Sequence, residues 1–212
     1  MHTRPNSDDV RRCGKNYEHG SPVVPPGGTF PALATSSTPL LAFRCAPGVV
    51  PYLSSDANGT LLVDAITTHE RIAGAAPLDS TTAHTYTVTA RANDVIVASG
   101  AVPVNASKFE LPLSFHGLHP SMTPADLECT LVAGAQTFAA SAKMPYMPEN
   151  AHGSTTKRDL KTGALLARGS NGKGPWEPVL PVGFYTDFGS YLATNLSALD
   201  DIKAQGSVPP FA

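Results

Sequence analysis

Between Pro39 and Pro148 the chain is built of short runs in which apolar and polar residues alternate, each run set off by turn residues. A period of two is the signature of strands with one buried face, and it constrains the fold more than any other feature of the sequence. His84–Arg91 places Tyr86, Val88 and Ala90 on one face and Thr85, Thr87 and Thr89 on the other. Thr60–Thr67 follows the turn signal Asn58-Gly59. Asn93-Asp94 interrupts the pattern before Val95–Ser99 resumes it, which predicts a hairpin whose tight turn uses the left-handed tolerance of Asn and Asp.

Phe109–Phe115 carries Phe109, Leu111, Leu113 and Phe115 on one side. Pro112 cannot donate to a ladder, so this strand is expected at an edge or bulged. Leu127–Ala133 and Thr137–Met144, joined through Gly134, with Leu40–Cys45, bring the expectation to about seven strands and no helix among them. The fold class is therefore mainly β, and seven short strands at this spacing predict an immunoglobulin-like β-sandwich, with a small closed barrel as the alternative. The single tryptophan, Trp176, lies outside this region, so the Cys–Trp–Cys hallmark of antibody domains is absent.

The flanks differ in character. Residues 1–34 are polar, rich in Pro and Gly and without apolar periodicity, so they are expected to form a disordered arm. Residues 35–150 form the sandwich. The remainder, 151–212, offers two short strands around Lys161-Thr162-Gly163, a Gly-rich turn at Asn171–Gly174, an apolar strand Pro178–Tyr185 and a helix Tyr191–Gln205. In that helix Leu192, Leu196, Leu199 and Ile202 recur at helical spacing, Lys203 sits in the last turn and Gly206 follows it; Ser190, Thr194 and Asn195 compete as N-cap.

A net charge of −2 with no block of like charges leaves no electrostatic footprint for nucleic acid or an anionic membrane, so neither partner is expected. No apolar run approaches the roughly 18 residues of a membrane span, and the N-terminus lacks the apolar core of a signal peptide. Cys13, Cys45 and Cys129 are too few for a disulfide scaffold. A Cys45–Cys129 bridge worth about 3–5 kcal/mol and two buried free thiols remain equal alternatives. Glycosylation sequons at Asn58, Asn105 and Asn195, with 20 prolines, low charge and many Ser and Thr residues, point to an extracellular origin, the signal peptide not being present in this chain.

The hairpin "DLKTGALLARG", the segment "PWEPVLPVGFYTDFG" and the run "NLSALDDIKAQG" together resemble the entry into the catalytic barrel of glycoside hydrolases of the β-galactosidase/β-glucuronidase superfamily type. The resemblance spans Thr156–Gly206 directly and is closest to large secreted fungal proteins of this kind. It implies β-sandwich domains ahead of a (β/α)₈ barrel, with Val179–Tyr185 as the first barrel strand and Asn195–Gln205 as the first helix. The sequence departs from the pattern after "KAQG", where "SVPPFA" stands in place of a second apolar strand. Retaining hydrolases use two carboxylates about 5–5.5 Å apart, and the barrel strands that the resemblance would assign them to do not occur in this chain. The expectation is a non-catalytic portion of a glycosidase, an incomplete barrel start, that braces or shapes a barrel absent here. The competing expectation is an independent binding module for glycans or a protein partner.

If the barrel resemblance holds, Asp187 follows the first strand, where barrel residues face the substrate. Tyr185, Asp187, Phe188 and Trp176 are therefore the candidate sugar-binding residues. Trp176 with Tyr146 and Tyr52 is a second candidate platform, set against the commoner role of aromatics in packing. His116 and His119, three apart around Gly117-Leu118, fall in a predicted surface loop, and His69-Glu70 has no second histidine at metalloprotease spacing. No metal and no cofactor is expected, and no serine elbow or phosphate loop is present.

Overall fold

The computed structural model describes residues 32–79, 84–150, 155–168, 173–180, 189, 193, 195 and 197–204. The chain divides into two units, Met1–Ala32 and Leu33–Ala212. The expected arm lies almost wholly outside the described residues, and the elements of the fold belong to the second unit.

Among the described residues, seven longer strands form two antiparallel sheets: β1 (Thr35–Pro47), β4 (Gly59–Glu70), β6 (Thr85–Ala92), β7 (Val95–Pro103), β8 (Ala106–Leu113), β9 (Ala125–Ala133) and β10 (Gln136–Met144). Shorter pieces, β2 (Val49–Val50), β3 (Tyr52–Leu53) and β5 (Ala75–Pro77), lie between them. One sheet has the order β5-β1-β4-β8 and the other β10-β9-β6-β7. The alternation read from the sequence is the alternation of burial. In β6, Tyr86, Val88, Ala90 and Ala92 point inward, as do Leu127, Cys129 and Leu131 in β9. They share one core with Leu41 and Phe43 of β1, Leu61, Val63 and Ala65 of β4, and Leu111 and Leu113 of β8. The architecture is mainly β and sandwich-like. Cys45 in β1 and Cys129 in β9 are joined by a disulfide that links the two sheets, with Cα atoms 6.5 Å apart.

The turn chemistry follows the residues. Asn93 and Asp94 both have positive φ, 47° and 64°, as a two-residue hairpin of the I′ kind requires, and Gly134 (φ 62°) turns β9 into β10. β8 is the edge strand of its sheet, which is where Pro112 costs least.

Beyond the sandwich, β11 (Tyr146–Met147) pairs in parallel with β3, and β12 (Lys157–Asp159), β13 (Leu165–Ala167) and β14 (Glu177–Val179) form an antiparallel sheet with β2, in the order β14-β13-β12-β2. The hairpin around Lys161-Thr162-Gly163 thus forms, with Gly163 at φ 82°. The strand expected at Pro178–Tyr185 differs. Its described part, through Val179, pairs antiparallel with β13, Val179 opposite Leu165, and so completes a small hairpin sheet; residues 181–188 lie outside the described residues. The helix is shorter than the leucine spacing predicts. α1 spans Ala198–Ala204, and Ser197 starts it, its carbonyl accepting from the Asp200 and Asp201 amides at 3.0 and 3.4 Å. Asn195 Oδ1 accepts from the Ser197 amide (3.1 Å) and hydroxyl (2.8 Å), a local turn that competes with helix at this point. The side chains of the leucine stripe are outside the described residues. Among the described residues no helix is long and apolar enough to cross a membrane.

Candidate functional site

The two short strands β2 and β3 form a seam between the sandwich and the hairpin sheet. The chain leaving β10 crosses to β3, where Tyr52 N–H donates to Pro145 O (2.9 Å) and Ser54 N–H to Met147 O (2.8 Å). It then returns to β2 through β12, with Leu160 N–H donating to Gly48 O at 2.8 Å. The hairpin tip is fastened to β8 as well: Lys108 Nζ donates to Lys161 O at 2.5 Å, and Lys161 Nζ lies 3.0 Å from the Glu110 carboxylate.

At the centre of the seam is Lys157, the one buried charged residue among those described, 3% exposed. Its Nζ lies 2.7 and 2.5 Å from the two carboxylate oxygens of Asp56, itself 12% exposed. Asp56 is held by its own turn: its Oδ2 accepts from Leu53 N–H at 2.8 Å, and its amide donates to Leu53 O at 2.9 Å. The Trp176 ring lies over Lys157, its centroid 4.3 Å from Nζ, and Arg168 lies 4.6 Å from the same centroid. Glu149 completes the cluster, accepting from the Ser55 hydroxyl and lying 3.8 Å from Arg168. Burial pushes the Lys157 ammonium below its ordinary pKa of 10.5, against the opposing pull of Asp56.

This arrangement locates the sequence candidates. Trp176 belongs to the seam: two cations lie against its ring, and its indole N–H is buried without an acceptor among the described residues. Tyr185, Asp187 and Phe188 lie outside the described residues. Tyr52 and Tyr146 pack instead of presenting a platform. Tyr52 is 3% exposed, and Phe115 stacks on Tyr146 at 4.6 Å with the rings 5° from parallel. Asn58, Asn105 and Asn195 are all exposed, although Asn105 Oδ1 accepts from Thr67 N–H at 2.9 Å and its φ is 59°. His116 and His119 are both exposed, and no three His, Cys, Asp or Glu residues among those described are placed to hold a metal ion.

The residues that sequence reading misses are Asp56, Lys157, Arg168 and Glu149. Each sits in a segment rich in Ser, Thr, Gly or Pro, where nothing periodic marks a buried charge. The only signal is compositional: the lone tryptophan closely follows a basic hairpin. No protein-family model and no curated protein matches the chain.

Proposed function

We propose that this chain is a structural module: an immunoglobulin-like sandwich that rigidly presents the segment after it, as the bracing portion of an extracellular glycoside-hydrolase-like protein. The observation that carries the proposal is the seam. A sandwich that merely preceded a linker would have no reason to add strands to the next segment from its own β2 and β3 and to clamp it with a buried lysine, an indole and two contacts to β8.

The immunoglobulin-like assignment is supported by strand order. β1, β4, β5 and β8 lie in one sheet and β6, β7, β9 and β10 in the other, so the chain crosses between sheets before β6, between β7 and β8, and again between β8 and β9, as Greek-key sandwiches do. The extracellular assignment is supported by the inter-sheet disulfide, which persists in oxidising compartments, and by the exposed sequon asparagines. The link to carbohydrate chemistry rests on the resemblance of Thr156–Gly206 to a barrel entry.

Hydrogen exchange of the purified chain, read alongside glycan-array binding and turnover of aryl glycosides, tests the proposal. A brace keeps the amides of β12 and β13 protected together with β2, and neither binds glycans nor turns over glycosides. Exchange of that hairpin at the rate of a free peptide overturns bracing. Glycan binding by the chain replaces it with a binding module.

A further inference from the structure

We infer that Lys157 and Asp56 are joined by an intramolecular amide: the geometry points to condensation of Lys157 Nζ with Asp56 Cγ and loss of one water. Three observations converge on it. The partners are 101 residues apart in sequence, yet the nitrogen touches both carboxylate oxygens at 2.7 and 2.5 Å. Contact of this kind has already removed the translational freedom that makes amide formation between separate molecules slow. The pair is nearly dry, the lysine being 3% and the aspartate 12% exposed, with the Trp176 ring over the lysine. Finally, Leu53 N–H already sits 2.8 Å from Oδ2, where negative charge develops when the carboxyl carbon is attacked.

The step balances with the groups present. A proton passes from the Lys157 ammonium to Asp56 Oδ1, giving an amine and a carboxylic acid; burial favours this neutral pair, in keeping with the lowered pKa of the lysine. The nitrogen lone pair forms the N–Cγ bond while the C=O π pair moves onto Oδ2, where the Leu53 amide stabilises it. On collapse the double bond to Oδ2 returns and the Cγ–Oδ1 bond breaks. Oδ1 leaves as water with its own proton and a second one from the nitrogen. One ammonium and one carboxylate become one secondary amide and one water, with no oxidant or external leaving group.

The consequence is a covalent staple between the loop after β3 and strand β12, across the seam that hydrogen bonds and the indole already hold. The inference does not depend on the bracing function, because a mass measurement reads it whatever the module serves. The full chain, folded at neutral pH, is deglycosylated, denatured, fully reduced and weighed. It is expected to be lighter than its sequence by one water. Trypsin is expected to leave the bond after Lys157 uncut and to release the Asp56 and Lys157 peptides as one cross-linked species. Asp56→Ala and Lys157→Arg are expected to restore the full mass. A reduced chain at its full sequence mass overturns the inference, as does a water loss that maps to any other residues.

Discussion

The Tyr52 hydroxyl finishes a ladder that the backbone leaves open. Pairing of β1 with β4 ends at Pro47 opposite Leu61, so the next residue of β4, Thr60, needs other partners. Gly48 N–H and the Tyr52 hydroxyl donate to its carbonyl at 2.6 and 2.7 Å, and its own N–H donates to the same phenol oxygen at 2.9 Å. Removing the hydroxyl leaves the Thr60 N–H without that acceptor in a nearly dry place, so Tyr52→Phe is expected to cost about 1–3 kcal/mol in urea unfolding. The same burial raises the phenol pKa above its ordinary 10.0. The folded state then holds a proton that the unfolded chain releases, so stability is intact below pH 10.0 and falls as pH rises through the folded value. Melting temperatures above that pH should fall more steeply for the wild type than for Tyr52→Phe; equal slopes would refute the assignment. Gly59 makes a complementary point. Its place after Asn58 reads as a turn signal, yet it opens a strand, and a Cβ there would lie 2.8 Å from Phe115 and 2.9 Å from Tyr52. Gly59→Ala is expected to destabilise by about 1–3 kcal/mol through overpacking, checked by the same unfolding curves.

Among the elements, legibility in the sequence tracks periodicity. The seven long strands are readable because each has one wet and one dry face, and Pro112 marks an edge because a missing donor is tolerated only there. The two- and three-residue strands are not readable, since a segment such as Val49–Val50 is too short to carry a period and pairs only because β12 arrives beside it. Leucine spacing overextends the helix for the opposite reason: it runs through Leu192 and Leu196, but the Asn195 turn satisfies the backbone locally and α1 begins only at Ala198. The disulfide is legible as one of two alternatives, because alternation places Cys45 and Cys129 on inward faces without saying whether they meet. Its removal has a defined effect. Cross-linking residues 84 apart restricts the unfolded chain strongly, so Cys45→Ala with Cys129→Ala is expected to lower stability by about 2–5 kcal/mol, with the strand signal in circular dichroism kept below the new melting point.

For the molecule as a whole, the seam decides whether the sandwich and the hairpin behave as one body. Strands of three residues bury too little to persist alone, so β12, β13 and β14 depend on β2, on the contacts to β8 and on the clamp at Lys157. Asp56→Ala removes the partner of Lys157 and leaves a buried ammonium with the indole and Arg168 beside it. A buried charge left without its partner costs about 3–5 kcal/mol where the structure cannot relax. Here it can relax, by lifting the hairpin and returning Lys157 to water. The loss is therefore expected to appear as local opening: in hydrogen exchange of Asp56→Ala, amides of Lys157–Asp159 and Leu165–Ala167 lose protection while those of β4, β6 and β9 keep theirs. The core of the sandwich is closed by its own two sheets and by the Cys45–Cys129 bridge, neither of which includes the Lys157–Asp56 pair. A uniform loss of protection across both regions would mean that the hairpin is part of the cooperative core and not a segment held against it, and the bracing role would then have to be assigned to the whole molecule instead of to the seam.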